Sequence, residues 1–405
     1  MLNALAHLSF SPDDQQHLFQ TSVGVLFLGN LAFEPSDSDA DLDPPSPTPA
    51  STPSLNSAAA LLGLDPDRLA RALATKERTV RSEKITSVLS PAQTHQARDA
   101  LAKKTYSFLF DHILHKINEA MHIPECAIEP FIGILDIFGF EIFELNSFEQ
   151  LCINYCNEKL QKHFIDHVIK MEEAMYKEEN LSFTPSQVID NQDVLDLIEE
   201  KRIGLLPLLH EECRIAKSTD LSYMHKITDR FQHHHRRFEK TVHYAPLEFK
   251  IHHYAGGVSY DTTDWLERNR DELSPHLREM MLSSRFPLIQ QIFSPPSATP
   301  ASPAHSNSPT PAHKTHNNTE ASTFMTSLDS LAMILESSRP HFIRCIKPNA
   351  AKKPSLIDAD LTLEQLRYSG VLDAIAIRKQ GFPFRPSHGE FWQVGSAESA
   401  LHQTR

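Results

Sequence analysis

The chain has 405 residues, with 12 glycines, 27 prolines and a formal net charge of -13 at pH 7. Glycine makes up about 7% of an average protein, and the only adjacent pair here is Gly256 and Gly257, which excludes a glycine-rich dinucleotide-binding loop. The acidic balance argues against a general nucleic-acid binder, because that class needs a basic face.

Cysteine usage and hydropathy narrow the protein class further. The five cysteines form no CxxC pair, and their odd number disfavours a disulfide framework and a structural zinc site. No run of about 18 apolar residues is present, and the N-terminus lacks a basic start followed by an apolar stretch. We therefore expect a soluble, intracellular protein without direct membrane insertion.

In chain order, the first elements are predicted to be helical. Apolar residues recur with spacings of three and four over residues 12–33 and 91–121. Two stretches, 35–57 and 294–322, carry six prolines each among polar residues, and this composition predicts disordered surface loops.

The spacing of the apolar residues changes after residue 130. Residues 131–136 (FIGILD) form a short apolar run that ends on a carboxylate, which is typical of a buried parallel strand. Ser147 and Gln150 form a capping box that begins a helix reaching about residue 180. A helix over 324–335, a strand over 341–346 and a helix capped by Thr362 and Gln365 follow. Helices interleaved with buried strands predict an α/β fold with a mixed central sheet.

The strongest chemical signal is the segment DIFGFE, which directly follows the predicted strand. Asp136, at the carboxyl end of a buried strand, stands where nucleotide-binding α/β proteins hold Mg²⁺, usually through water. The backbone N–H of Gly139 could contact a terminal phosphate, and Glu141 could pair with an arginine. The alternative is an ordinary strand-to-loop turn in which Asp136 caps local backbone N–H groups.

These residues lie in a longer pattern that resembles the myosin motor domain. Residues 134–141 (ILDIFGFE) resemble switch II, and residues 146–161 resemble the relay helix that follows it. The resemblance covers roughly residues 8–391 of the chain. Further matching motifs are residues 254–260, 340–349, 366–367, 370–372 and 381–383.

The resemblance implies an actin-activated ATPase with ATP and Mg²⁺ as ligands. It places Asp136 near the magnesium ion through water, Gly139 at the γ-phosphate, and Glu141 in a salt bridge to an arginine of switch I. Phosphoryl transfer depends on placing such groups around an in-line displacement. These three residues are accordingly the predicted catalytic residues, and Asp136 and Gly139 the predicted nucleotide-binding residues.

The resemblance also implies filamentous actin as the partner. Residues 205–220 resemble the helix-loop-helix of the lower actin-binding subdomain, and residues 328–349 resemble a second actin-binding segment. The predicted actin-binding residues are Leu328, Leu331, Leu335, Pro340, His341, Phe342, Arg344, Lys347, Asn349 and Lys217.

Three parts of the family pattern have no counterpart in this sequence. The P-loop GxxxxGK[ST] and switch I belong before the matched region, and the converter with its light-chain-binding helix belongs after it. Residues 24–30 have the glycine spacing of a P-loop but lack its lysine, and they resemble a helix of the upper subdomain. We therefore expect weak nucleotide binding at best and no light chains on this chain.

The predicted fold is that of a P-loop-NTPase-like myosin motor fragment, mostly helical around a partial central mixed sheet. The expected divisions are part of the upper actin-binding subdomain (1–130, with the insert 35–57), switch II with the relay helix and lower subdomain (131–293), a loop (294–322), an actin-binding helix with a core strand and hinge helices (323–392), and a tail (393–405).

Three hypotheses follow from this pattern. The chain is part of an actin-based motor in the actin cytoskeleton, because Asp136, Gly139 and Glu141 occur together. Alternatively, it is a nucleotide-independent actin-binding protein derived from a myosin, since the phosphate loop is missing and the loop 294–322 carries Lys314 as its only lysine or arginine. A third possibility is a chain that does not fold stably alone, because missing strands leave sheet edges open.

Overall fold

The structure is a computed structural model that describes residues 1–35, 43–80, 83–121, 132–178, 180–181, 190–215, 217–240, 245–270, 273–294 and 319–369, with positions 371–372, 375, 386, 389 and 391–392. The predicted helix end near residues 381–383 and most of the loop 294–322 lie outside these residues. The chain divides into two units, one formed by Met1–Gly133 with Asp271–Ala304 and the other by Ile134–Arg270 with His305–Arg405.

The first stretch of the chain is mostly helical. Its elements are α1 (Leu2–His7), α2 (Pro12–Gly29), β1 (Phe33–Glu34), β2 (Ser46–Pro47), α3 (Thr52–Leu62), α4 (Pro66–Ala74), β3 (Thr75–Val80), β4 (Glu83–Val88) and α5 (Pro91–Met121).

The second stretch contains the only three-stranded sheet among the described residues. Its elements are α6 (Phe148–Glu178), α7 (Gln192–Glu199), α8 (Leu205–Arg214), α9 (Asp220–Phe231), β5 (Phe238–Glu239), β6 (Glu248–His252), β7 (Gly257–Asp261) and α10 (Trp265–Asn269). Four helices complete the description, namely α11 (Pro275–Leu282), α12 (Pro287–Phe293), α13 (Glu320–Ser337) and α14 (Ala359–Tyr368).

In the first unit, α2 begins where the sequence predicts. Ser11 and Asp14 exchange side-chain and backbone hydrogen bonds in a capping box, and Pro12 occupies the first turn. Gly24 then allows α2 to pack closely on α3, because a Cβ at this position would lie 2.9 Å from Cδ2 of Leu62. The core of this unit also includes α11 and α12, so the described residues 273–294 belong here, although the sequence analysis grouped them with the lower subdomain.

Part of the predicted loop 35–57 is ordered. Residues 46–47 form β2, which pairs antiparallel with β1, and α3 begins at Thr52. The buried hydroxyl of Ser51 donates to the carbonyl oxygen of Ala32 at 2.9 Å. The composition was misleading because Pro53 lies in the first turn of α3, where proline is compatible with a helix.

In the second unit, aromatic side chains fill a core between helices and a small sheet. The strands β5, β6 and β7 pair antiparallel in that order. Phe249, Tyr260 and Trp265 are fully buried against the first turns of α6 and against α7 to α9. α13 adds Leu328 to the same core.

Two predicted strands are absent, and the prediction of a mixed central sheet is wrong for the described residues. Residues 132–136 and 341–346 form no strand, and Ile132, Ile134 and Ile343 are 97%, 92% and 84% exposed. Every sheet within the described part of the chain is antiparallel. A strand forms only where a neighbour accepts and donates its ladder hydrogen bonds, and no described backbone segment forms such a ladder with either of these two.

The remaining helix predictions hold with one correction. α6 begins at Phe148, and the backbone N–H of Ser147 donates to Oε1 of Gln150 at 3.0 Å. α14 begins four residues earlier than predicted at its cap, because Asp358 rather than Thr362 accepts from the backbone N–H of Leu361. None of the described helices has the length and hydropathy of a membrane-spanning segment.

Candidate functional site

The segment with the predicted catalytic residues is exposed at its start. Asp136 and Gly139 are exposed, and nothing lies within 4 Å of the position that a Cβ would take at Gly139. No hydrogen bond to another described residue involves the backbone of residues 132–137. The backbone N–H of Gly139 is therefore accessible, as contact with a phosphate would require.

After Phe138 the same segment is fastened to α6. The side-chain amide of Asn157 donates to the carbonyl oxygen of Phe138 at 3.0 Å. Asn154 pairs with the backbone of Glu141 in both directions, with N–H to Oδ1 at 2.8 Å and Nδ2 to the carbonyl oxygen at 2.8 Å. Such a two-way amide contact fixes the main chain at Glu141 against the helix.

Phe140 and Asn146 connect the segment to the sheet. The ring of Phe140 lies 5.1 Å from that of His253 and 5.6 Å from that of Tyr254, measured between centroids. The side-chain amide of Asn146 donates to the carbonyl oxygen of Ser259 at 3.0 Å, and the backbone carbonyl oxygen of Asn146 accepts from the N–H of Asp261 at 2.9 Å. Residues 138–146 thus form a bridge between α6 and β7.

The carboxylate of Glu141 lacks the predicted arginine. It is half-buried, it accepts a hydrogen bond from Nε2 of Gln150 at 3.5 Å, and it makes no ion pair with any residue that the structure describes. The predicted partner was an arginine of switch I, for which the sequence analysis identified no counterpart.

The three predicted catalytic residues lie on one segment, 136–141, on which Asp136 and Gly139 are exposed. Asp136 is a single exposed carboxylate, and among the residues described no group of three or more His, Cys, Asp or Glu side chains could hold a metal ion. Residues 24–29, which have the glycine spacing of a P-loop, lie inside α2, as the sequence analysis expected of this stretch. The residues present do not by themselves fit ATP with Mg²⁺.

The predicted actin-binding residues separate into buried and exposed groups. Leu328 is 5% exposed and Leu331 packs against the same core, so both stabilise α13 rather than facing solvent. Leu335 and Pro340 line a cavity of about 650 Å³ between α6, α7 and α13. His341 is exposed.

Phe342 and Arg344 contact the middle of α6. The Phe342 ring lies 4.8 Å from that of Phe164. The guanidinium of Arg344 lies 4.9 Å from the Phe164 ring and 5.6 Å from the Phe342 ring, which is cation–π distance. This contact holds the extended residues 341–346 on α6 in the absence of a strand partner.

Asn349 organises a loop and is not a surface residue. It is 4% exposed; its Nδ2 donates to the carbonyl oxygens of Lys353 and Leu356, and its Oδ1 accepts from the N–H of Lys353. Lys347 is exposed, and its backbone pairs with the side chain of Gln365. Lys217 is exposed in the turn between α8 and α9, with a φ of 67°.

A polar network on α6 was not predicted from the sequence. Asn154 and Glu158 are fully buried and contact His253, Tyr260 and Asn191, whose side chains are also buried. The available signal was the presence of polar residues at positions 154, 157 and 158 within an otherwise apolar helical pattern.

A second group of charges joins α6 to α7 and α13. Nζ of Lys159 lies 2.8 Å from Glu199 and 2.5 Å from Asp329. Burial lowers the pKa of Lys159, but the hydrogen bonds from its ammonium to Asp329 and Glu199 outweigh this effect and raise the pKa above its ordinary value. The Tyr155 hydroxyl also donates to Glu199, so three elements meet at one ion-pair cluster.

Comparison with known proteins confirms the resemblance. Residues 1–399 match the family described as myosin head (motor domain). The myosin-I heavy chain of Dictyostelium discoideum is 38% identical over 386 residues, which are 94% of this chain and 16% of that protein. Protein OPAQUE1 of Zea mays is 39% identical over 96% of this chain and 24% of its own length.

Unconventional myosin-Ia of Gallus gallus is 36% identical over 401 residues, which are 96% of this chain and 37% of that protein. The chain thus spans between 16% and 37% of the length of these relatives. Because the matches extend over nearly the whole chain, it belongs to the myosin head (motor domain) family.

Proposed function

We propose that the chain is part of a myosin-family, actin-based motor of the cytoplasmic actin cytoskeleton, in which ATP hydrolysis is coupled to movement on filaments. The observation that carries this proposal is the fastening of residues 138–141 to α6 by Asn154 and Asn157. A displacement of the exposed segment that precedes Phe138 is transmitted to a helix of 31 residues, about 46 Å long at 1.5 Å per residue.

In this proposal Asp136, Gly139 and Glu141 act on the nucleotide side of the motor. With a nucleotide bound, Asp136 would hold Mg²⁺ through water, the N–H of Gly139 would contact the terminal phosphate, and Glu141 would orient the attacking water. The accessible backbone of Gly139 and the fixed main chain of Glu141 support these roles. By itself this polypeptide is expected not to turn over ATP appreciably, because no described loop supplies a phosphate cradle.

For actin, the exposed members of the predicted set are the proposed contacts. Lys217, His341 and Lys347 face solvent, whereas Leu328 and Asn349 support the surface from within. The predicted helix-loop-helix, residues 205–220, covers α8 and the turn before α9, and Leu206 and Leu209 anchor α8 in the core of the second unit. Light chains are not expected on these residues.

The alternative is a nucleotide-independent actin-binding protein derived from a myosin. It is favoured by the second unit, because described residues of α8, α9 and α13 share one hydrophobic core.

Three measurements test the proposal. The purified chain is assayed for ATP turnover with and without filamentous actin, and for co-sedimentation with actin together with a thermal melt. We expect a cooperative melt and no appreciable turnover, with turnover regained only in a longer polypeptide that includes a GxxxxGK[ST] loop. Robust actin-stimulated turnover by the 405-residue chain would contradict the expected inactivity, and turnover still missing from the longer polypeptide would contradict the motor. Saturable binding that ATP does not alter in either polypeptide supports the alternative.

A further inference from the structure

The buried polar side chains beside α6 form one continuous series of hydrogen bonds. It runs from the backbone of Glu141 through Asn154, Tyr260, His253 and Glu158 to Asn191, which precedes α7. All five side chains belong to residues that are at most 3% exposed. Because water cannot replace any member, each proton has to be assigned within the series.

The backbone of Glu141 fixes the orientation of Asn154. The backbone N–H of Glu141 can only donate, so the side-chain atom of Asn154 that lies 2.8 Å from it must be the acceptor Oδ1. Nδ2 of Asn154 therefore points to the other side. Nδ2 then donates its two protons to the carbonyl oxygen of Glu141 at 2.8 Å and to the hydroxyl oxygen of Tyr260 at 2.9 Å. The Tyr260 oxygen is therefore an acceptor in this contact.

The hydroxyl proton of Tyr260 then has one acceptor in the series. That acceptor is Nε2 of His253 at 2.9 Å, which must carry no proton of its own. The proton of a neutral imidazole then lies on Nδ1, which donates to Oε1 of Glu158 at 2.9 Å. If Nε2 were protonated instead, the Tyr260 proton would be buried without a partner, which costs about 1–3 kcal/mol.

Glu158 terminates the series as an acceptor at both oxygens. Oε1 also accepts from the N–H of Tyr254 at 3.1 Å, and Oε2 accepts from Nδ2 of Asn191 at 2.5 Å. The Glu158 carboxylate thus accepts from three donors and needs no proton of its own for any of these contacts. This arrangement fits an ionised carboxylate held by hydrogen bonds. The contact of His253 with Glu158 is thus a hydrogen bond from a neutral ring and not an ion pair.

We propose that Asn154, Tyr260, His253, Glu158 and Asn191 form a positioning network for the main chain at Glu141, with His253 neutral and protonated at Nδ1. The role as a positioning device rests on the proposed function, in which Glu141 acts on the nucleotide side. The proton arrangement does not depend on it. Through Asn191 the same network ties the segment 138–141 to α7 as well as to α6.

The first test determines the tautomer in the unmodified chain. Long-range proton–nitrogen correlation spectra of a sample labelled with ¹⁵N-histidine distinguish a protonated ring nitrogen from a bare one. The His253 signals are identified by their absence from His253→Gln. At neutral pH we expect protonated Nδ1 and bare Nε2; the opposite tautomer, or an imidazolium, overturns the proposal.

The second test measures the hold on Glu141 by amide hydrogen exchange. Tyr260→Phe removes the hydroxyl that accepts from Asn154, and exchange of the Glu141 amide is expected to become at least about tenfold faster. Tyr223→Phe is the matched control, because Tyr223 is equally buried in the same core but donates to the carbonyl oxygen of Leu205. Equal Glu141 exchange in both variants overturns the positioning role.

The two tests are independent of nucleotide and actin. If the ATP and actin assays contradict the proposed function, His253 can still show the proposed tautomer. If those assays support the proposed function, His253 can still show the opposite tautomer. The tautomer is measured on the natural sequence, so the decision stands even if Tyr260→Phe does not fold.

Discussion

At the scale of single residues, amide and guanidinium groups organise this molecule. Asn154, Asn157 and Asn349 each hold a stretch of main chain that forms no regular structure of its own. Asp193 joins two parts of the chain through ion pairs. Its carboxylate lies 2.8 Å from Nε of Arg237 and 2.6 Å from a terminal nitrogen of Arg236, so it joins α7 to the chain before β5.

The Asp193 contacts predict a dependence of stability on pH. Burial raises the pKa of Asp193, but the hydrogen bonds from Arg237 and Arg236 outweigh it and lower the pKa below the ordinary value of 3.8. A lowered carboxyl pKa stabilises the fold above the ordinary value, and this stabilisation is lost as pH falls through the folded value. We expect Asp193→Asn to cost about 1–2 kcal/mol near neutral pH and progressively less below about pH 4.

Thermal melts between pH 3 and about pH 7 check this expectation. Asp229→Asn is the control, because Asp229 is exposed on α9. The difference in melting temperature between the natural chain and Asp193→Asn has to become smaller in acid. The difference in melting temperature between the natural chain and Asp229→Asn is expected to stay constant. A difference that persists unchanged at pH 3 contradicts the assignment.

At the scale of elements, α6 is the component that connects the others. Its first turns enter the main core of the second unit, and its middle carries the small cluster of Phe164, Ile165 and Val168. Beyond this cluster Met171 is half-exposed and Met175 is 40% exposed. The apolar face of α6 is thus buried at Phe164 and Val168 and largely exposed at Met171 and Met175.

This asymmetry predicts unequal effects of truncation along one helix. Leu151 is fully buried, and Leu151→Ala is expected to lower the free energy of unfolding by about 3 kcal/mol through lost burial and a cavity. Met171→Ala on the same helix should change it by less than about 0.5 kcal/mol, because Met171 is 50% exposed. Urea unfolding followed by circular dichroism measures both. If both substitutions lowered the free energy of unfolding by similar amounts, the second half of α6 would be buried and not exposed.

The helix and strand predictions differed in outcome because their hydrogen bonds differ in range. α2, α5, α6 and α13 were predicted near their observed bounds, since helical bonds join residues four apart and the caps are local. Strands were predicted over 131–136 and 341–346, and the described residues 132–136 and 341–346 form none, because a strand requires a partner from elsewhere in a chain. β6 and β7 form because a short turn supplies that partner directly.

At the scale of the whole molecule, the exposed residues 132–138 are the main liability. Ile132, Ile134 and Phe138 are 97%, 92% and 76% exposed, and the backbone of residues 132–137 makes no hydrogen bond to another described residue. Such a segment offers both hydrogen-bonding groups and apolar surface to another chain. The acidic net charge of -13 opposes association only at long range.

We therefore expect concentration-dependent association that a single charge reduces. Ile134→Lys should lower light scattering at high protein concentration by several-fold without a change in the thermal midpoint, because the side chain makes almost no contacts. Leu26→Lys on α2, at a position that is 69% exposed but helical, serves as the control. If the control reduces scattering equally, the extended segment is not the site of association.

The sequence by itself determined the family, the helices and the candidate residues Asp136, Gly139 and Glu141, because long motifs and helical periods are local properties of the chain. Only the tertiary structure decided that Leu328 and Asn349 are buried, that α6 holds residues 138–141 through two asparagines, and that His253 meets Glu158 beneath them. These contacts join residues up to 95 positions apart, and the proton assignment in the network exists only once all of its members are in place.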